Sequence, residues 1–147
     1  MQKNKKLYTL EKELRWLEEK VLYKRLQAIQ IHEGQPSIMA YVYLHAGCNQ
    51  YEIAQHLGLS RASVGVSIKR LVKSEFVEIR RNENDKRATS LHLTSLGTKT
   101  LVKSDMVLDS YISEKYRFFT QEELSNYIVL YEKMKTNLKH MYQEERK

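Results

Sequence analysis

Residues 77–97, VEIRRNENDKRATSLHLTSLG, decide the fold. Val77 and Ile79 alternate with Glu78 and Arg80, and Leu91 and Leu93 alternate with Ser90 and His92. Period-two patterning on both sides of the turn formers Asn82 to Lys86 predicts two short antiparallel strands with one buried face. The charged tip holds Asp85, Lys86 and Arg87. Taken alone it could be a surface turn, part of an active site or a device for touching an anion, so its surroundings must decide.

Working outward toward the N-terminus, Ser60 stands where its hydroxyl can cap a helix whose buried face is Val64, Ile68, Leu71 and Val72. Ahead of it, Asn49 and Glu52 have the spacing of a capping box, with Cys48 and Ile53 as hydrophobic staple. That helix is short, carrying Ile53, Ala54 and Leu57 before Gly58 ends it. Two helices joined by the tight turn Leu57-Gly-Leu-Ser60 have the spacing of a helix-turn-helix. A helix-turn-helix followed directly by a hairpin is a winged helix. The class is mainly α, with a small β component.

The flanks are helical as well. Leu7, Leu10, Leu14, Leu17 and Val21 recur at steps of three and four, the narrow stripe of a helix that seats on another helix. Gly34 is expected to close that helix, and Pro36 to open a second one through Ile38, Met39, Val42 and Leu44. Thr94 is expected to cap a fifth helix with Leu101, Leu108, Tyr111 and Ile112. Thr120 and Glu123 form a second capping box, with Phe119 and Leu124 as staple, for a sixth helix about 39 Å long. Leu124, Ile128, Tyr131, Met134, Leu138 and Met141 lie along one side of it. A winged-helix core cannot cover both terminal stripes. They either meet across a two-fold axis or fold back on the same chain, and the homodimer is the expectation.

At 147 residues, 41% of them apolar, the chain can bury a real core, and its formal charge of +7 favours an anionic partner. The charge is concentrated: residues 58–90 hold eight cations against four anions. Cations near the N-terminus are not followed by an apolar signal segment, no stretch is apolar enough to span a membrane, and Cys48 has no second cysteine to pair with. A soluble protein in the reducing cytoplasm is the expectation.

On these residues the chain resembles the MarR family of bacterial transcriptional regulators. The match runs through residues 34–97. Its most specific part is Asp85-Lys86-Arg87 followed by Leu91-x-Leu93-Thr94-x-x-Gly97, the family's D-x-R and L-x-L-T-x-x-G pattern. The resemblance implies one MarR-like domain over 1–147, with a DNA-binding lobe at 34–97 and a helical dimerisation region at 1–33 and 98–147. It implies a regulator, in the family's usual manner a repressor, that binds double-stranded DNA as a homodimer. Helix 60–74 would be the recognition helix, with DNA-contacting positions Arg61, Ala62, Ser63, Gly65, Val66, Lys69 and Arg70.

By the same resemblance Arg87 matches the wing arginine that enters the minor groove, and Asp85 the carboxylate that holds it. The chemistry is consistent, because a guanidinium suits a narrow, negative groove. Arg80, Arg81 and Lys86 share the hairpin, and Ser67 can reach phosphates or base edges. Two departures stand out. Gly65-Val66 replaces the Thr-Arg of many relatives, and Glu75 stands where a glycine commonly turns the chain into the strand.

Relatives also bind small aromatic or phenolic effectors beside the DNA-binding lobe. Trp16, Tyr23, His32, Tyr41 and His45 are the candidates for such a pocket here, although aromatics on helix faces are usually core or interface residues. Cys48 precedes a helix N-terminus and offers an alternative, redox-responsive reading. His45 and Cys48 lack the further ligands that a structural zinc needs, and neither metal nor cofactor is expected. No phosphate loop, nucleophile elbow or HExxH motif points to an enzyme. A winged helix serving only protein interaction would call for a wing stripped of cations, and this wing has them.

Overall fold

The computed structural model describes residues 2–81 and 89–146. Along the chain run α1 (Gln2–Gln27), α2 (Gln35–Leu44), α3 (Gln50–Leu57), α4 (Arg61–Lys73), β1 (Val77–Arg81), β2 (Thr89–Leu93), α5 (Ser95–Lys115) and α6 (Gln121–Glu144). Six helices and a two-stranded antiparallel hairpin are the winged-helix order that the sequence predicts. The chain divides into two compact units, residues 1–111 and 112–147.

In the first unit the core forms where helices α2, α3 and α4 turn their apolar faces inward. Ile38, Met39, Val42, Ile53, Val64, Ile68 and Leu71 are all fully buried, joined by Ile31, Phe76, Val77, Leu91 and Leu101. Leu44 belongs to α2 but not to the core, being exposed at its C-terminal end.

The local start signals are realised. Asn49 accepts from the Glu52 amide at 3.0 Å while Glu52 accepts from the Asn49 amide at 2.8 Å, a closed capping box. Cys48 and Ile53 on either side of it are both buried. Ser60 caps α4 by accepting from the Ser63 amide at 3.1 Å.

Gly34 does not close α1. The helix ends earlier, because Gln30 takes the left-handed conformation at φ 62°. The Ile31 amide then donates back to the Leu26 carbonyl at 3.0 Å, and the Gln30 amide to Gln27 at 2.9 Å. This is the paired-bond terminus that a left-handed residue permits, and it seats Ile31 against Leu26 as the buried contact. Gly34, at φ 82°, instead precedes α2.

Glu75 ends α4 in the same way. At φ 60° it lets the Phe76 amide reach the Leu71 carbonyl at 2.9 Å and its own amide reach Val72 at 3.0 Å. The position that departs from glycine therefore keeps the glycine conformation.

The hairpin pairs Val77 with Leu93, Ile79 with Leu91 and Arg81 with Thr89. Its buried face is shorter than the alternation predicts: Val77 and Leu91 are buried, Leu93 is half-buried, and Ile79 is 45% exposed. The core reaches only the root of the wing, so side chains farther out lose their cover. The root has an anchor that the sequence did not disclose. Cys48 forms a β-bridge with Leu91, the Leu91 amide donating to the Cys48 carbonyl at 2.9 Å and the Gly47 amide to the Leu91 carbonyl at 2.8 Å.

Thr94 ties the exit from the wing to α5. Its hydroxyl donates to the Glu75 carbonyl at 2.6 Å and accepts from the Gly97 amide at 2.9 Å. Gly97 packs on the backbone there: a Cβ at this position would stand 1.9 Å from the Phe76 carbonyl oxygen. The Thr-Ser-Leu-Gly motif is thus a clamp between the end of α4 and the start of α5.

The second unit comprises the end of α5, a short turn and α6. Thr120 and Glu123 close the second capping box, at 2.8 and 3.2 Å. Phe119, the expected staple, lies in an aromatic group with Tyr116 and Tyr127, their ring centres 5.8 and 6.1 Å from its own. The Tyr127 hydroxyl donates to Tyr131 at 2.9 Å, and that bond together with burial pushes Tyr127 up to about 12.

Candidate nucleic-acid interface

Helix α4 has two faces. Val64, Ile68 and Leu71 fix it to the core, and the opposite side presents Ala62, Ser63, Val66, Lys69 and Arg70, all exposed, with Arg61 exposed at the N-terminal end and Gly65 and Ser67 half-buried. These are the α4 positions that the sequence predicts, and the structure places Ala62, Ser63, Val66, Lys69 and Arg70 among them on the outward side. Side chains three and four apart share a helix face, so a sequence that buries 64, 68 and 71 necessarily turns 62, 66 and 69 outward.

Arg61 breaks a local rule. It is a cation in the first turn of a helix with no acidic residue there, where the helix dipole costs about 0.3–1 kcal/mol. The guanidinium lies over the Tyr51 ring, 4.6 Å from its centre, which offsets part of that cost. The same placement adds a fixed positive charge to the free amides at the N-terminus of α4, an arrangement suited to a phosphate. Ser63 shares a 2.8 Å hydrogen bond with the Ser60 hydroxyl, and its side chain is thereby oriented at the same end.

On the wing, Arg80 and Arg81 are exposed at the end of β1. Arg80 is held by its neighbour, its Nε donating to Glu78 at 2.8 Å. As a solvent-exposed pair this contributes little stability, but it neutralises one of the cations. Asp85, Lys86 and Arg87 lie outside the described residues.

The candidates for an effector site divide into separate groups. Tyr41 on α2 and His45 at its C-terminal cap have ring centres 4.4 Å apart. His56 of α3 adds itself to them, 4.8 Å from Tyr41. Trp16 instead sits on an open shelf of α1 with Lys12, Glu13 and Leu17. Tyr23 is exposed on the same helix. His32 uses its backbone amide to bond the buried Gln35 side chain at 2.8 Å, and its own side chain is exposed.

Cys48 is buried, and that burial, reinforced by the charge of Glu52, pushes the thiol above its ordinary value of 9.0. This opposes the thiolate that a redox-responsive cysteine uses. Among the described residues no group of three histidine, cysteine or acidic side chains could hold a metal ion, and no helix is long and apolar enough to cross a membrane.

Sequence reasoning missed Gln50, Tyr51 and His56. The first turn of α3 lies against the N-terminal half of α4, with Gln50 beside Gly65 and the Tyr51 ring under Arg61, and no periodicity within either helix announces that crossing. His56 meets Tyr41 across two helices, and no local pattern announces such a meeting.

Comparison with known proteins agrees with this architecture. Residues 30–88 match the model of the MarR family. The HTH-type transcriptional regulator BilQ of Clostridium symbiosum (strain WAL-14163) is 29% identical over 117 residues, covering 79% of this chain and 81% of BilQ. A MarR-like transcription regulator from Bacillus cereus ATCC 10987 superposes with a TM-score of 0.78 at 23% identity, over 94% of this chain and 99% of that one. A mutant MarR from E.coli, solved in complex with operator DNA, superposes with a TM-score of 0.70 at 21% identity, over 87% and 92% of the two chains. In its central match, in its relative and in its six-helix winged fold, the chain is similar to the MarR family of transcription regulators.

Proposed function

We propose that the protein is a homodimeric repressor that binds a pseudo-palindromic operator in double-stranded DNA, in the cytoplasm. The observation that carries this reading is the two-faced α4, anchored by Val64, Ile68 and Leu71 and presenting Arg61, Lys69 and Arg70 to solvent. The likeness to a MarR that was solved on operator DNA supports it.

In this reading α4 enters the major groove. Arg61, Lys69 and Arg70 neutralise phosphates, Ser63 and Ser67 bond phosphates or base edges, and Ala62, Gly65 and Val66 form the close-fitting middle of the helix. Val66 packs on a thymine methyl. Arg81, Lys86 and Arg87 carry the wing to the neighbouring groove, with Asp85 orienting Arg87, while Arg80 acts mainly through its pair with Glu78.

The dimer is supported by the uncovered stripes. Leu7, Leu10, Leu14 and Leu17 on α1 are each more than 40% exposed, and on α6 Ile128, Tyr131, Leu138 and Met141 are as open. Faces of this size and regularity are rarely left to water. A small aromatic effector would relieve repression by altering the spacing of the two lobes, with Tyr41 and His45 at its site.

Binding to genomic duplex fragments should fall steeply with salt. A dimer that contacts about six to ten phosphates loses about 10³–10⁵ in affinity between 50 and 200 mM. Lys69→Ala should flatten that slope, and Arg87→Ala should weaken binding strongly at an unchanged melting temperature. Salt-independent binding, or an Arg87→Ala protein of undiminished affinity, would count against the reading.

A further inference from the structure

The outer face of α4 is chemically bare at its centre. Ala62 and Val66 carry no hydrogen-bonding group, and Gly65 between them carries no side chain, so between Ser63 and Lys69 the half-buried Ser67 alone offers a polar side-chain atom. A neighbouring helix supplies another. A Cβ placed on Gly65 would stand 3.4 Å from Oε1 of Gln50, the nearest side-chain atom to that point. Gln50 is the first residue of α3 and is exposed. Its amide therefore lies where a longer residue at position 65 would project.

We propose that Gln50 is a base-reading residue of this protein, recognising an adenine through the space that Gly65 leaves open. The inference rests on the DNA-binding reading above and assigns the specificity of that same surface. A glutamine amide presents one donor and one acceptor side by side, the complement of adenine N6 and N7 in the major groove. Val66, the next residue along α4 and 51% exposed, suits the methyl of a thymine. Together they select an A·T pair at the centre of each half-site. Gly65 has a purpose in this arrangement: a larger side chain would compete with the Gln50 amide for the same place, and a bare backbone lets α4 approach the bases closely.

The test is selection from a randomised duplex library with the full-length protein, the Gln50→Ala variant and the Gly65→Thr variant. Wild type should enrich a site with an A·T pair at one central position of each half-site. Gln50→Ala should lose about tenfold or more of the discrimination at that position alone, and Gly65→Thr should change the preference at the same position. Uniform weakening by Gln50→Ala with every preference retained would make Gln50 a phosphate contact and overturn the proposal, as would an unaltered selection. A wild-type protein that enriches no site would overturn the DNA-binding reading, and this proposal with it.

Discussion

The lobe around α4 and the long helices α1 and α6 are built on opposite principles. The lobe closes its own core with side chains that are almost wholly buried, from Ile31 to Leu101. By contrast α1, with 26 residues, buries only Leu26, and α6, with 24, buries none. Both long helices nonetheless repeat apolar residues at helical spacing. The lobe's sequence is satisfied within one chain, whereas the patterning of the long helices is satisfied only by something that covers them. Stability should therefore reside in the lobe and association in the arms.

The sharpest way to break that contrast begins at the lobe's clamp. Gly97→Ala puts a methyl group 1.9 Å from a backbone carbonyl that belongs to the core segment at Phe76. It should destabilise the fold by about 3 kcal/mol or more, seen as a lowered midpoint in urea. A small effect would mean that α5 shifts freely and that the clamp is not part of the core.

On the arm, Leu14→Lys combined with Leu17→Lys removes apolar surface that no core residue uses. Sedimentation should show a monomer, and DNA affinity should fall by about 100-fold or more as two linked contacts become one. An intact dimer would move the interface away from α1.

A smaller effect sharpens the lobe itself. Glu75 holds φ 60° without being glycine, at a cost of about 1 kcal/mol. Glu75→Gly should raise stability by about 0.5–1 kcal/mol, checked as a higher melting temperature. A loss of stability would mean that the Glu75 side chain contributes more than its backbone costs.

The parts of the fold legible in the sequence are those whose physics is local. Asn49 with Glu52, Thr120 with Glu123 and Ser60 with Ser63 lie within one turn of each other, and each pair forms as its spacing predicts. The buried face of α4 was legible for the same reason. What escaped depends on partners far along the chain. The bridge from Cys48 to Leu91 joins residues that no periodicity links, and the exposure of Ile79 reflects where the core stops rather than anything in its strand.

The terminus of α1 was misplaced because Gln30 adopts a left-handed conformation before Gly34 is reached. At the candidate interface, the outward set on α4 was readable from its inward set. The amide of Gln50 beside Gly65 was not, since it arises from the crossing of two helices.

The central claim is that two copies of this chain read one operator. Light scattering on the complex with a duplex selected by the protein tests it most directly. The account predicts two chains per duplex, on half-sites whose centres are about 10 base pairs apart. Single chains binding each half-site independently, with no gain in affinity when both are present, would contradict it.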